Sequence, residues 1–175
     1  VDDCFTIQEV IVSVKSALAN KSVQKQQTLE FLRAPDLDDK FIRLDKQKLI
    51  YILVNLVANA ITYTPPRGRI TVSFTLVHGP HMTVRVVDDG PGIDEADHDL
   101  VFRPFVQLHA GAAEGTRAGS GLGLAIVKRL ATLMNGAVVL ASALGAGSTF
   151  TCTIPFRFDT PRPRVVVQAL AHQEI

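Results

Sequence analysis

The chain has 175 residues, of which 47% are hydrophobic and 20% charged, with 18 Lys and Arg against 17 Asp and Glu. That size and balance suit one domain with a buried core and exclude a disordered or fibrous chain. The near-neutral charge shows no basic cluster of the kind a nucleic-acid binder needs for counterion release, so no nucleic-acid partner is expected. The longest mostly apolar stretch, Leu49 to Ile61, is interrupted by Asn55 and Asn59 and is too short to span a bilayer. No membrane contact is expected of this domain. Cys4 and Cys152 stand far apart without C-x-x-C spacing, which suggests neither a zinc site nor a disulfide framework. A start at Val1, without Met or a signal-peptide pattern, is the expectation for a fragment of a longer protein.

In chain order, Ile7, Val10, Ile11, Val14 and Leu18 repeat with helical period and predict a helix from Asp3 to Ala19. Thr28 to Leu32 reads as a short strand, and Ala34 to Asp39 as a turn around Pro35. Asp45 suits the N-cap of a second helix that runs to about Tyr63 and stops at Pro65 and Pro66. Strands are predicted at Ile70 to Val77 and Met82 to Asp88. A loop-rich stretch from Asp89 to Ser120 has a short helical segment near Ala96 to Phe102. A third helix, Leu122 to Met134, closes at Asn135-Gly136. Ala137 to Ser142 and Ser148 to Ile154 form a last hairpin. The domain is therefore expected over residues 1–158, with 159–175, which carry Pro161 and Pro163, as a linker or tail. Hairpin strands with three amphipathic helices predict an α+β fold, a two-layer sandwich with a mixed sheet of about five strands packed on three helices.

Glycine is unevenly spread: seven of the 12 lie between Gly90 and Gly123. Such a cluster fits either a surface loop or a place where backbone must turn sharply or approach a ligand. The second helix bears on the choice. At about 100° per residue, Lys48, Asn55, Asn59 and Thr62 fall within roughly 60° of one another, while Leu49, Ile52, Leu53, Leu56, Val57, Ala60 and Ile61 fill much of the remaining circumference. Two amides on a narrow stripe either bond neighbouring backbone or face a polar ligand. An Asn carbonyl oxygen can bind a hard cation such as magnesium without placing negative charge beside phosphates.

Two glycine motifs follow. Asp88, at the end of a strand, leads into Asp89-Gly90-Pro91-Gly92, where a carboxylate could accept a hydrogen bond from an exocyclic amine. Gly119-Ser120-Gly121-Leu122-Gly123-Leu124 opens the third helix, where backbone N–H groups can hold a phosphate chain. The second motif is not a dinucleotide fingerprint, because Leu124 stands where that pattern requires Gly, and it is not a P-loop, because no Gly-Lys-Ser or Gly-Lys-Thr follows. Neither H-R-D nor D-F-G occurs.

Together and in this order, these elements resemble the catalytic ATP-binding domain of sensor histidine kinases, simple or hybrid, within the superfamily that includes gyrase, heat-shock chaperone and mismatch-repair ATPases. Asn55 to Ala60 is similar to that family's N box, and Asp88 to Gly92 to its G1 box. Phe102-Arg103-Pro104-Phe105 is similar to its F box, and Gly119 to Leu124 to its G2 box. Gly145-Ala146-Gly147-Ser148-Thr149-Phe150 resembles the last glycine motif. The resemblance covers roughly residues 5–156 and implies the Bergerat fold, with ATP bound under a lid.

By position, the resemblance implies that Asn59 ligates Mg2+ and that Asn55 supports it. It further implies that Asp88 bonds the adenine amine and that Tyr63 lies against the adenine ring. Gly90, Gly92, Gly119, Gly121, Leu122, Gly123, Leu124 and Thr149 complete the implied ATP contacts. Val106 to Ala118 would be the lid, with Arg117 placed to meet the γ-phosphate. The chain departs from the pattern twice: Thr62 stands where a phosphate-touching Lys is usual, and Arg103 where Glu is usual.

Related ATPases carry a Glu general base four residues before the metal-binding Asn, where this chain has Asn55, which has no basic lone pair. Hydrolysis is therefore disfavoured, and transfer of the γ-phosphoryl group to a histidine is expected. None of His78, His81, His98, His109 and His172 opens a phosphoacceptor-like helix. The implied partners are thus a separate dimerisation and phosphoacceptor domain of the same kinase and, downstream, a response-regulator receiver. The implied location is the cytoplasmic side, in a membrane-bound or soluble sensor. The alternatives are a silent nucleotide-binding regulatory module, which Thr62 would favour, and an ATPase of the wider superfamily.

Overall fold

The computed structural model describes residues 2–77, 79–108 and 120–159. These form eight strands and three α-helices: β1 (Asp3–Thr6), α1 (Ile7–Gln24), β2 (Thr28–Arg33), β3 (Phe41–Leu44), α2 (Lys46–Tyr63), β4 (Arg69–Val77), β5 (His81–Asp88), α3 (Gly123–Leu133), β6 (Ala137–Ser142), β7 (Ser148–Pro155) and β8 (Arg157–Asp159). Five strands make a mixed sheet in the order β2-β4-β5-β7-β6, parallel only between β2 and β4. The helices cover one face of it, with α2 in the middle, packed against both α1 and α3. This is the predicted two-layer α+β sandwich.

A second sheet, β1-β3-β8, was not anticipated. It corrects the predicted first helix, whose opening residues are a strand antiparallel to β3. The physical reason is a capping box at Thr6, whose hydroxyl accepts from the Glu9 N–H while Glu9 accepts from the Thr6 N–H at 3.1 Å. Glu9 also pairs with Lys46 at 2.6 Å, which ties the start of α1 to the start of α2. At the other end α1 continues past Ala19 to Gln24. The expected domain end at 158 falls inside β8, where Asp159 pairs with Arg43 of β3. The remaining tail, from 160, lies outside the described residues, as do His78, His109 and His172. The short helical segment after Asp89 is two 3-10 turns, Glu95–Asp97 and Leu100–Phe102.

The core lies between helices and sheet. Leu49, Ile52, Leu53, Leu56 and Val57 of α2 are fully buried, as are Ile70, Val72 and Phe74 of β4 and Val84 and Val86 of β5. Each such side chain contributes about 1.5–3 kcal/mol by leaving water. Cys4 and Cys152 are both free thiols, and burial pushes the Cys152 thiol up to about 12, leaving it an inert core residue.

Asp45 caps α2, its carboxylate accepting from the Lys48 N–H at 2.9 Å and pairing with the Lys48 ammonium. Burial opposes ionisation, yet these Lys48 contacts hold the carboxyl below its ordinary value. A depressed carboxylate stabilises the fold above its unfolded value, and that stability is lost as pH falls. Asp45→Ala should therefore cost about 1 kcal/mol at neutral pH in urea unfolding. The difference from the parent should shrink as pH drops below about 4.

Candidate functional site

A cavity of about 480 Å³ opens between α2, the end of β5, the start of α3 and the β6–β7 turn. The α2 stripe supplies Asn55, Asn59, Ala60 and Tyr63. Among the described residues nothing bonds the Asn59 amide, whereas the Asn55 Nδ2 donates to the Tyr51 carbonyl at 2.8 Å. Thr62, on the same stripe by helical angle, does not line the cavity; its hydroxyl donates back to the Ala58 carbonyl at 2.8 Å.

Asp88 sits at one wall, 8% exposed, at the last residue of β5 and opposite Ser148 of β7. Burial raises its carboxyl above the ordinary value, while the Gly90 N–H, donating to Oδ1 at 2.9 Å, and the Ser148 amide pull it back. The charge of neighbouring Asp89 pushes it up further. Asp89 itself turns away and accepts from the Arg69 N–H at 2.9 Å.

The turn after Asp88 is clamped onto the β6–β7 turn. Gly145 N–H donates to the Pro91 carbonyl at 2.7 Å, and Ile93 N–H donates to the Ser142 hydroxyl at 2.8 Å. Ser142 in turn donates to the Gly147 carbonyl at 2.8 Å. Gly92 makes the approach possible: its φ is +74°, and a Cβ there would lie 1.9 Å from the Ala143 carbonyl oxygen.

Across the cavity, Ser120, Gly121, Gly123 and Leu124 form the wall at the start of α3. Gly121 has φ +70°, and a Cβ there would meet the Phe105 backbone at 2.9 Å, so the backbone of the motif lies directly on the end of the Phe102–Phe105 segment. A Cβ on Gly123 would sit 3.0 Å from Asn55 Oδ1, which brings the two motifs to the same end of the cavity. The Leu122 N-cap makes no side-chain hydrogen bond to the first turn of α3. Among the described residues no side chain caps the N–H groups of that first turn.

The structure therefore gathers Asn55, Asn59, Tyr63, Asp88, Gly92, Gly121, Gly123 and Leu124 around one cavity. Three expected contacts lie behind its surface. Gly90 packs under Asp88, where a Cβ would be 2.7 Å from Oδ1. Leu122 is the helix cap. Thr149 alternates with Ser148 and Phe150 along β7, and it is these two neighbours that line the cavity. Gly119, Arg117 and most of the expected lid lie outside the described residues; Val106, Gln107 and Leu108, its first positions, line the cavity.

Sequence reasoning missed the apolar wall of Ile93, Val101 and Phe150, and the two carboxylates Asp94 and Asp97. Ile93 and Phe150 adjoin the glycine motifs, and that adjacency was the available signal. No Lys or Arg lines the cavity among the described residues.

A two-layer sandwich with a central helix, a capless helix start and a buried carboxylate around one cavity defines a nucleotide-binding domain of the ATPase type. The family model described as histidine kinase-, DNA gyrase B- and HSP90-like ATPase matches residues 44–158, well over half of the chain, and the chain belongs to that family. Among similar proteins, the autoinducer 2 sensor kinase/phosphatase LuxQ of Vibrio vulnificus is 40% identical over 119 residues, covering 65% of this chain and 14% of LuxQ. The sensor histidine kinase WalK of Bacillus subtilis is 32% identical over 134 residues, covering 76% of this chain and 22% of WalK. The chain thus spans only a small part of these relatives. Among solved structures, full-length ShkA in complex with AMPPNP superposes with a TM-score of 0.79 at 28% identity, covering 91% of this chain and 32% of that one. The mycobacterial sensor histidine kinase MprB gives 0.73 at 27%, covering 91% of this chain and all of that one. The similar proteins are sensor histidine kinases, and the shared region is their ATPase domain. No helix among the described residues is long and apolar enough to cross a membrane.

The raised Asp88 carboxyl has a stability consequence. A carboxyl raised by folding stabilises the protein fully below its unfolded value, and that stability is lost as pH rises through the folded value. Asp88→Asn removes the buried charge and keeps an oxygen for the Gly90 N–H. At neutral pH the variant should melt no lower than the parent and should lack the parent's loss of stability across the mildly acidic range. A variant that melts clearly lower at neutral pH would contradict the buried-charge cost.

Proposed function

We propose that the domain binds Mg-ATP in this cavity and transfers the γ-phosphoryl group to a histidine on a separate phosphoacceptor domain of a two-component sensor kinase. The observation that carries the reading is the arrangement around one cavity: a buried carboxylate at one wall, a helix start without a side-chain cap at the other, and on α2 the Asn59 amide, which no described residue bonds. Asp88 would accept the adenine amine, with Tyr63 against the ring. The N–H groups opening α3 would take phosphate oxygens. Arg117 would approach the γ-phosphate from the lid.

The residues present also fit magnesium, as an ion held jointly with the nucleotide. Among the described residues no group of three or more His, Cys, Asp or Glu could hold a metal alone, whereas Asn59, which lines the cavity, carries a carbonyl oxygen that is a neutral hard donor. Bound there, magnesium would neutralise phosphate charge.

In the transfer step, an imidazole nitrogen attacks the γ-phosphorus in line, the bond to the β-phosphate oxygen breaks, and ADP leaves. The contribution of the chain is positioning and charge placement. Water is a poor competitor because Asn55 offers no base. One observation favours the silent-module alternative: the described wall has three aspartates, Asp88, Asp94 and Asp97, and no cation. The response-regulator partner and the cytoplasmic setting follow from the same reading. A complex of the histidine kinase ThkA with a response regulator is among the structurally similar molecules.

Mixing the domain with a phosphoacceptor-domain protein and γ-labelled ATP tests the proposal. Label on histidine is expected; free phosphate alone would indicate a hydrolase, and no transfer with ATP bound would indicate the silent module. In the same assay, Asn55→Glu places a carboxylate one turn before Asn59 and should raise phosphate release at saturating ATP. A base contributes about 10²–10⁴-fold only with correct geometry, and the carboxylate also faces the amides that open α3, so the gain should be at the low end.

Asn59→Ala should fold normally, since its amide bonds no described residue. Calorimetric titration should show the magnesium dependence of ATP affinity lost and metal-free ADP binding retained. Equal magnesium dependence in variant and parent would overturn the role of Asn59.

A further inference from the structure

The C-terminal end of α2 carries Asn59, Ala60 and Tyr63 into the cavity, and its last carbonyls have no partners within the helix. The helix has no basic residue in its last turn, and Pro65 and Pro66, which follow, lack N–H groups. The missing donors come from the α1–β2 connection, more than thirty residues earlier in the chain. Lys25 Nζ donates to the Ile61 carbonyl at 2.8 Å, to that of Thr62 at 2.6 Å and to that of Thr64 at 3.4 Å. Gln27 Nε2 donates to the Ile61 carbonyl at 3.0 Å and to that of Thr64 at 2.7 Å. Backbone bonds knit the same two segments, Arg67 N–H to the Lys25 carbonyl at 3.1 Å and Thr28 N–H to the Gly68 carbonyl at 2.9 Å.

An ammonium on the carbonyl end of a helix is favoured by the helix dipole as well as by the hydrogen bonds. Burial lowers the Lys25 ammonium from its ordinary value. At the same helix end, the Tyr63 carbonyl abuts the turn after β5, where a Cβ on Gly90 would lie 3.3 Å from it. The last turn of α2 is thus held by a cationic cap and by the backbone under Asp88.

We infer that Lys25, seconded by Gln27, is a positioning residue for the cavity: it fixes the last turn of α2 so that Tyr63 and Asn59 meet a bound nucleotide without a conformational cost. The inference rests on the reading of the cavity as a nucleotide site. It makes Lys25 a determinant of adenine affinity although it touches no ligand. The last turn without its cap samples orientations that do not bind, and affinity falls by the fraction of molecules that remain competent. That reduction acts before the phosphates are engaged, so it applies equally to every adenine nucleotide, with or without magnesium.

The test compares the parent with Lys25→Met, Lys25→Arg and Gln27→Ala, well below their melting temperatures. The readouts are calorimetric affinity for metal-free ADP and for Mg-ATP, and amide hydrogen exchange of the ligand-free proteins. Lys25→Met should speed exchange in the last turn of α2 and weaken both nucleotides by the same factor, about tenfold if a tenth of molecules stay competent. Lys25→Arg, whose fork can reach the same carbonyls, should restore most of the affinity. Gln27→Ala should show the same pattern more weakly, and it keeps the inference falsifiable if Lys25→Met does not fold. Variants that melt lower or exchange faster yet bind both nucleotides like the parent would overturn the inference. Failure of the parent itself to bind adenine nucleotides would overturn the reading of the cavity, and the inference with it.

Discussion

The burial of about half the circumference of α2 is the constraint on which the rest of the site depends. Between α1, α3 and the sheet, seven of its residues, from Leu49 to Ile61, are at most 4% exposed. A helix packed in this way cannot turn about its axis without opening the core, because interiors are close-packed and lose contacts outright when gaps appear. The stripe Asn55-Asn59-Tyr63, beside that buried face, is therefore held in one direction, and that direction is the cavity. Polar groups on such a stripe gain geometric precision from apolar packing behind them, which is what a binding site built on a rigid element requires.

Electrostatics give the cavity two unlike ends. At the Asp88 wall a carboxylate is kept out of water and steadied by the Gly90 and Ser148 amides, so its preference is for a neutral donor such as an amine. At the α3 wall the partial positive charge of a helix start is left uncapped and suits an anion. The carboxylates Asp94 and Asp97 add negative charge to a wall that has no described cation. A triphosphate in such a place needs compensating charge from something that arrives with it or closes over it. On the proposed reading a magnesium ion arriving with the nucleotide would supply that charge, and an amide such as Asn59 adds no further negative charge beside it.

The α2 stripe was legible because it is local: helical angle alone puts Asn55 and Asn59 on one line, and Asp45, Pro65 and Pro66 mark the ends. The pairing of distant turns was not. Ser142 and Gly145 hold the turn after Asp88, and no periodicity reports a hydrogen bond across some fifty positions. The same limit hid the second sheet, since the four residues of β1 gain their strand character from β3 and not from their own pattern. Thr62 shows the reverse error of over-reading an angle. It lies on the stripe, yet its hydroxyl is satisfied by the Ala58 carbonyl and turns away from the cavity. Thr149 belongs to the right motif on the wrong side of a strand, where a period of two decides the face.

The clamp on the Asp88 turn and the Lys25 cap on α2 share a physical logic. Each ties a site element to a part of the chain distant in sequence, through groups that would otherwise be unpaired. Backbone carbonyls at a helix end and amides in a tight turn are costly when buried alone, about 1–3 kcal/mol each, so their partners act at once as stabilisers and as positional restraints. The cavity walls are thereby fixed from behind by hydrogen bonds, while the Asn59 amide on the cavity side bonds no described residue and the first turn of α3 has no side-chain cap. A site arranged in this way loses little binding free energy to ordering its walls.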